Sequence, residues 1–138
     1  MKSVLDFLEG HGTSNELLIL GQCPSSNTKP LKNGTYNRLM NWCDFVGISM
    51  FSFHNVIPNK INSYDINDVD EDALYEAVQD KTIIIALGGF VERVCKKYKI
   101  DCYKIDHPSP RNRNLNDPHY EQQMLKNLKK YLDEHRTN

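Results

Sequence analysis

The chain has 138 residues, which suits a single domain spanning 1–138. Apolar residues make up 39% and charged residues 25%, a balance that supports a packed core and excludes a globally disordered chain. The net charge is −1, but residues 1–91 hold 6 basic against 11 acidic side chains and residues 92–138 hold 11 against 7, so a neutral total leaves room for a basic face toward a polyanion.

In chain order, a short helix is expected near Val4–Leu8, followed by a strand over Leu17–Leu20 (LLIL). Tyr36, Leu39, Met40, Cys43 and Val46 then fall on one helical stripe. A second strand is expected over Phe51–Ile57 (FSFHNVI). Residues 69–79 (VDEDALYEAVQ) read as a helix with acids in its first turn, where the helix dipole favours them. The third strand is Thr82–Leu87 (TIIIAL), and Val91, Val94, Cys95 and Tyr98 form the stripe of the helix after it. Cys102–Ile105 (CYKI) is the fourth strand, and Leu125, Leu128, Tyr131 and Leu132 mark a last helix. The first and third strands are continuous apolar runs, as expected where both faces of a sheet are covered. Strands alternating with helices predict a doubly wound α/β fold: a three-layer α/β/α sandwich around a four-stranded, mainly parallel sheet.

In such folds ligands bind beyond the carboxyl ends of the strands. Four polar clusters sit there in the sequence. Gly21-Gln22-Cys23-Pro24-Ser25-Ser26 follows the first strand, and His54-Asn55 lies near the end of the second. Gly88-Gly89 follows the third, and Asp106-His107-Pro108-Ser109-Pro110-Arg111-Asn112-Arg113-Asn114 follows the fourth. Neither a dinucleotide GxGxxG, nor a P-loop, nor a GxSxG elbow is present. His11, His54, His107, His119 and His135 show no metal-ligand spacing, so no metal and no cofactor is assigned. Cys23, Cys43, Cys95 and Cys102 form no CxxC pair, which favours reduced thiols over a disulfide scaffold or a zinc ribbon. No apolar run approaches the roughly 20 residues of a membrane span. The first ten residues carry two acids and no signal-peptide core, so the expected setting is cytoplasmic or nucleoid-associated, as a monomer.

GQCPSS followed by HPSPRN resembles the two active-site motifs of the uracil-DNA glycosylase superfamily, and HPSPRN is closest to its single-strand-selective monofunctional branch. FHNV resembles the strand that presents a uracil-recognising Asn in these enzymes, and the order of motifs covers the chain from about Leu17 to the last helix. The resemblance implies a monofunctional DNA glycosylase that flips a base and hydrolyses its N-glycosidic bond, with uracil-containing DNA, single- or double-stranded, as partner. It implies that Asn55 reads the base, accepting from N3–H and donating to O4, within a pocket shared with Gly21, Ser25 and a stacking Tyr36. His107 would donate to O2 as negative charge develops there. Ser109 would hold a flanking phosphate, Pro108 and Pro110 would stiffen the loop, and Arg111, Asn112 and Arg113 would form the wedge filling the vacated stack. Gly88 and Gly89 would turn helix N–H groups toward a phosphate. Small Ser25 and Ser26, where strict enzymes have a bulky aromatic, imply tolerance of polar 5-substituted uracil.

Cys23 departs from the family pattern, standing where Asp or Asn usually positions the attacking water. A neutral thiol is a poor acceptor, so water positioning falls to Gln22, to Asp106, or to no group at all. The residues alone leave ordinary roles open: Asn55 bonding backbone, His107 packing, Tyr36 facing the core, Arg113 in a solvated loop. Two other functions also remain open, a catalytically silent DNA-binding relative and a nucleotide-processing enzyme without DNA contact.

Overall fold

The structure, a computed structural model, describes residues 16–23, 34–58, 65–109 and 112–135. The helix expected near Val4–Leu8, and Ser25, Ser26, Pro110 and Arg111, lie outside the described residues.

Four strands, β1 (Leu17–Gly21), β2 (Ser52–Asn55), β3 (Ile83–Leu87) and β4 (Tyr103–Ile105), form one sheet in the order β2-β1-β3-β4. Every pairing is parallel. All five residues of β1 and all five of β3 are buried, which is why these strands read as unbroken apolar runs. Full burial of side chains such as Leu18, Ile19 and Ile85 stabilises the fold by about 1.5–3 kcal/mol each.

Helices α1 (Gly34–Val46) and α4 (Pro118–His135) cover one face, packing Leu39, Trp42, Val46, Leu125, Leu128 and Leu132 onto Leu17, Ile19, Phe53, Ile83 and Ile85. Helices α2 (Glu71–Val78) and α3 (Gly89–Lys97) cover the other with Leu74, Val91, Val94 and Cys95 against Leu18, Leu20, Ile84 and Ala86. The α/β/α sandwich is thus present. The path from β1 to β2 runs one way across the sheet with α1 on one face. The paths into β3 and β4 run the other way with α2 and α3 on the opposite face, as crossovers of a single hand require. The switch point lies between β1 and β3.

The boundaries differ from the expected ones where alternation breaks. Strand β2 ends at Asn55 rather than Ile57, because Val56 and Ile57 both turn into the α2/α3 layer. Their N–H groups still bond the carbonyls of Gly21 and Gln22, at 3.0 and 2.9 Å. On α1 the buried stripe contains Trp42, while Met40 is only partly buried. Trp42 Nε1 donates to Glu121 Oε2 at 3.0 Å and joins α1 to α4. Asp70 caps α2 by accepting from the N–H of Ala73 at 3.1 Å. Among the described residues no helix is long and apolar enough to cross a membrane.

Candidate functional site

A parallel sheet brings the carboxyl ends of all its strands to one edge, so residues 21–23, 55–58, 88–89 and 106–109 share that edge. Gly21, the last residue of β1, stands in register with Asn55, the last of β2. Asn55 is 4% exposed and is the buried polar residue among those described. Its side chain leans on the Gly21 backbone so closely that a Cβ there would lie 2.5 Å from Asn55 Oδ1 and 2.6 Å from Phe53 Cζ. Glycine is what leaves the amide its place. Neighbouring His54 points to the opposite face, and its Nε2 is the buried side-chain atom left without a partner among the described residues. Burial lowers the His54 pKa, against an opposing pull from Asp70.

Two strands beyond β1, His107 follows β4. The Ser109 N–H donates to its Nδ1 at 3.2 Å, which makes Nδ1 the acceptor and leaves the proton of the neutral ring on Nε2. Burial pushes the His107 pKa below the usual imidazole value, so the ring is a neutral donor at neutral pH. Gly88 makes room for it. This residue has φ of 94° and ψ of 171°, a conformation that excludes other side chains, and a Cβ would sit 3.3 Å from His107 Cβ. The Gly88 N–H is engaged by the Ile105 carbonyl at 2.8 Å, and Gly89, the first residue of α3, is exposed.

The loop after His107 is fastened by groups whose roles the sequence does not disclose. Asp106 Oδ2 accepts from Asn112 Nδ2 at 2.9 Å and from Asn114 Nδ2 at 3.5 Å, and Oδ1 accepts from the Tyr120 hydroxyl at 2.7 Å. Asn112 Nδ2 also reaches the His107 carbonyl at 3.3 Å, and Asn112 Oδ1 receives the N–H of Asn114 at 3.1 Å. Asn112 is therefore turned inward as a clasp, whereas Arg113 is exposed in a short 3-10 turn, Arg113–Asn116. Burial raises the Asp106 pKa, but the hydrogen bonds from Asn112, Tyr120 and Asn114 and the charge of Lys104 bring it below the usual carboxylate range. Three donors already occupy this carboxylate, which makes it an anchor of the loop rather than a ligand for water.

The linkage has a definite sign. A folded pKa below the unfolded one gives stability that is present above the unfolded value and lost as pH falls through the lowered folded value. Asp106→Ala should cost about 1–3 kcal/mol near neutral pH. It should also flatten the acid limb of a stability profile measured by urea unfolding, and an unchanged acid limb would remove the clasp assignment.

No family model matches the chain, and no curated protein is significantly similar to it. The site therefore rests on its own geometry. Cys23 and Gln22 are half-buried just beyond β1, and the Cys23 side chain packs against the apolar α2/α3 layer. Tyr36, 5% exposed in the first turn of α1, belongs to the α1/α4 core layer that also contains Phe53. Burial raises its pKa. Pro108 is buried and Ser109 half-buried beside His107. Among the described residues no group of His, Cys, Asp and Glu is arranged to hold a metal ion.

Proposed function

We propose that this edge of the sheet receives uracil, or a polar 5-substituted uracil, flipped out of DNA and hydrolyses its N-glycosidic bond without a cofactor. The observation that carries the reading is the buried Asn55 amide held against Gly21 at the carboxyl edge of the sheet. One amide offers a donor and an acceptor side by side, the pattern complementary to O4 and N3–H of uracil and reversed for cytosine. The neutral His107 ring on the same edge supports the second half of the reaction: its Nε2–H would stabilise charge building on O2 as the bond to the sugar breaks. Water adds to the sugar carbon and the base departs as the anion, to be protonated afterwards. The exposed Arg113 and the basic stretch 92–138 suit a phosphate backbone.

A second reading, binding without cleavage, is favoured by one observation. The Cys23 side chain packs against apolar residues, and the Asp106 carboxylate is fully engaged, so neither is a ready ligand for water. The experiment is single-turnover release of uracil from labelled single- and double-stranded oligonucleotides. Wild-type protein should release the base slowly, and Cys23→Asp should accelerate release. Tight binding with no release from either protein would select the silent reading, and neither binding nor release would end both.

A further inference from the structure

On the α2/α3 side of the sheet, a cleft opens between β2 and α2. Ser52 and His54 stand in register with Leu18 and Leu20, so all four face this layer. A polar pair beside Leu18, Leu20, Ile84 and Ala86 costs stability unless something answers it. Above the pair the helix presents Ala73 and Ala77, one turn apart, and these short side chains leave about 370 Å³ open. That volume falls within the range of roughly 300–1,000 Å³ usual for small-molecule sites. His54 lines the cleft, and its buried Nε2 meets no partner among the described residues. Glu76 of α2 and Lys81 just after it line the same cleft, and neither belongs to an ion pair among the described residues.

We infer that this cleft binds a free α-amino acid with a neutral amide side chain, its ammonium group toward Glu76, its carboxylate toward Lys81 and its amide at His54 Nε2. Opposite charges without ion pairs on one cleft fit a zwitterion, whereas a simple anion would be repelled by Glu76 and a simple cation by Lys81. The methyl groups of Ala73 and Ala77 suit an aliphatic stem between head group and tip. Burial keeps the His54 ring neutral, so Nε2 is a donor or an acceptor according to its tautomer, and an amide can answer either. Length narrows the choice further. Lys81 lies at the amino edge, just before β3, and His54 lies toward the carboxyl edge, two residues beyond Ser52. Two residues of strand span about 6–7 Å, which favours glutamine over the shorter asparagine. Asn55 faces the other layer, so the inference does not depend on base excision.

The test titrates L-glutamine into the isotope-labelled full chain and follows it by NMR. The His54 imidazole signals and the backbone amides of Ser52, Ala77 and Lys81 should move together, and the melting temperature should rise with ligand concentration. Norleucine keeps the charged head and loses the amide, and it should bind roughly tenfold more weakly. Lys81→Met should weaken glutamine binding roughly fivefold. Ala77→Leu should abolish binding by filling the cleft, and the Lys81→Met arm decides the matter if that variant folds poorly. A cleft that holds only water would give no shifts at millimolar glutamine, and that result would overturn the proposal. So would norleucine binding as tightly as glutamine, unchanged affinity in Lys81→Met, or shifts confined to the surroundings of Asn55 and His107.

Discussion

His107→Ala is expected to slow uracil release by roughly 10²–10³-fold, or about 3–4 kcal/mol in the barrier, while leaving affinity for the oligonucleotide almost unchanged. The reason is specific to this ring. The N–H of Ser109 holds Nδ1 as acceptor, so the Nε2–H is fixed as the donor, and burial keeps the imidazole neutral. A neutral donor is present at all pH values above the lowered folded pKa, so the release rate should be flat across neutral pH. It should change only when acid protonates the ring and Nδ1 can no longer accept from Ser109. Stability follows the same titration. With the folded pKa below the ordinary value of about 6.5, the unfolded chain binds more protons between the two values. The folded state is therefore destabilised as pH falls through that window, and above it the group makes no contribution. His107→Ala should remove its share of this loss. Single-turnover kinetics and urea unfolding on the same samples check both halves. Equal losses of binding and cleavage would make His107 a packing residue.

Gly21→Ala is expected to harm stability and base recognition together. No positive φ is at issue here. The cause is contact: the new methyl carbon would lie 2.5 Å from Asn55 Oδ1 and 2.6 Å from Phe53 Cζ. Phe53 is buried in the α1/α4 layer and Asn55 is pinned at the strand end, so neither moves without repacking. Overpacking of this kind costs about 1–3 kcal/mol. Any shift of the Asn55 amide also misaligns its donor and acceptor for a base. Adding Phe53→Leu should relieve part of the thermal destabilisation, because it removes one of the two collisions. It should not restore base binding, because the collision with Asn55 persists. A Gly21→Ala protein that melts and binds like wild type would show that Asn55 has room to spare.

The frame was readable because parallel strands covered on both faces leave a strong mark, and LLIL and TIIIAL carry it. The second strand was overrun by two residues at its end because Val56 and Ile57 are as apolar as strand interiors, and only their turn into one layer separates them. Trp42 escaped the stripe because α1 packs against both the sheet and its neighbour α4 and buries a wider arc than one row of side chains. At the site, the gathering of Gly21, Asn55, Gly88 and His107 on one edge follows from topology, and topology was legible. The Asp106–Asn112–Tyr120 fastening was not, because it depends on contacts between a loop and the start of α4 that no periodicity encodes. Asn112 was expected among the residues of the wedge, and its amide instead lies within the loop.

His107 follows β4, a strand of three residues, and Asn55 ends β2, a strand of four, and these are the two outer strands of the order, whereas Gly21 ends β1 in the middle of it. Both side chains that would meet the base thus hang from the rims of the sheet. Sub-global opening draws first on short, peripheral elements, while the central strands exchange their amide hydrogens only on global unfolding. The reading amide and the imidazole can consequently loosen and re-form many times during the life of the folded domain, with the glycine floor of β1 still in place.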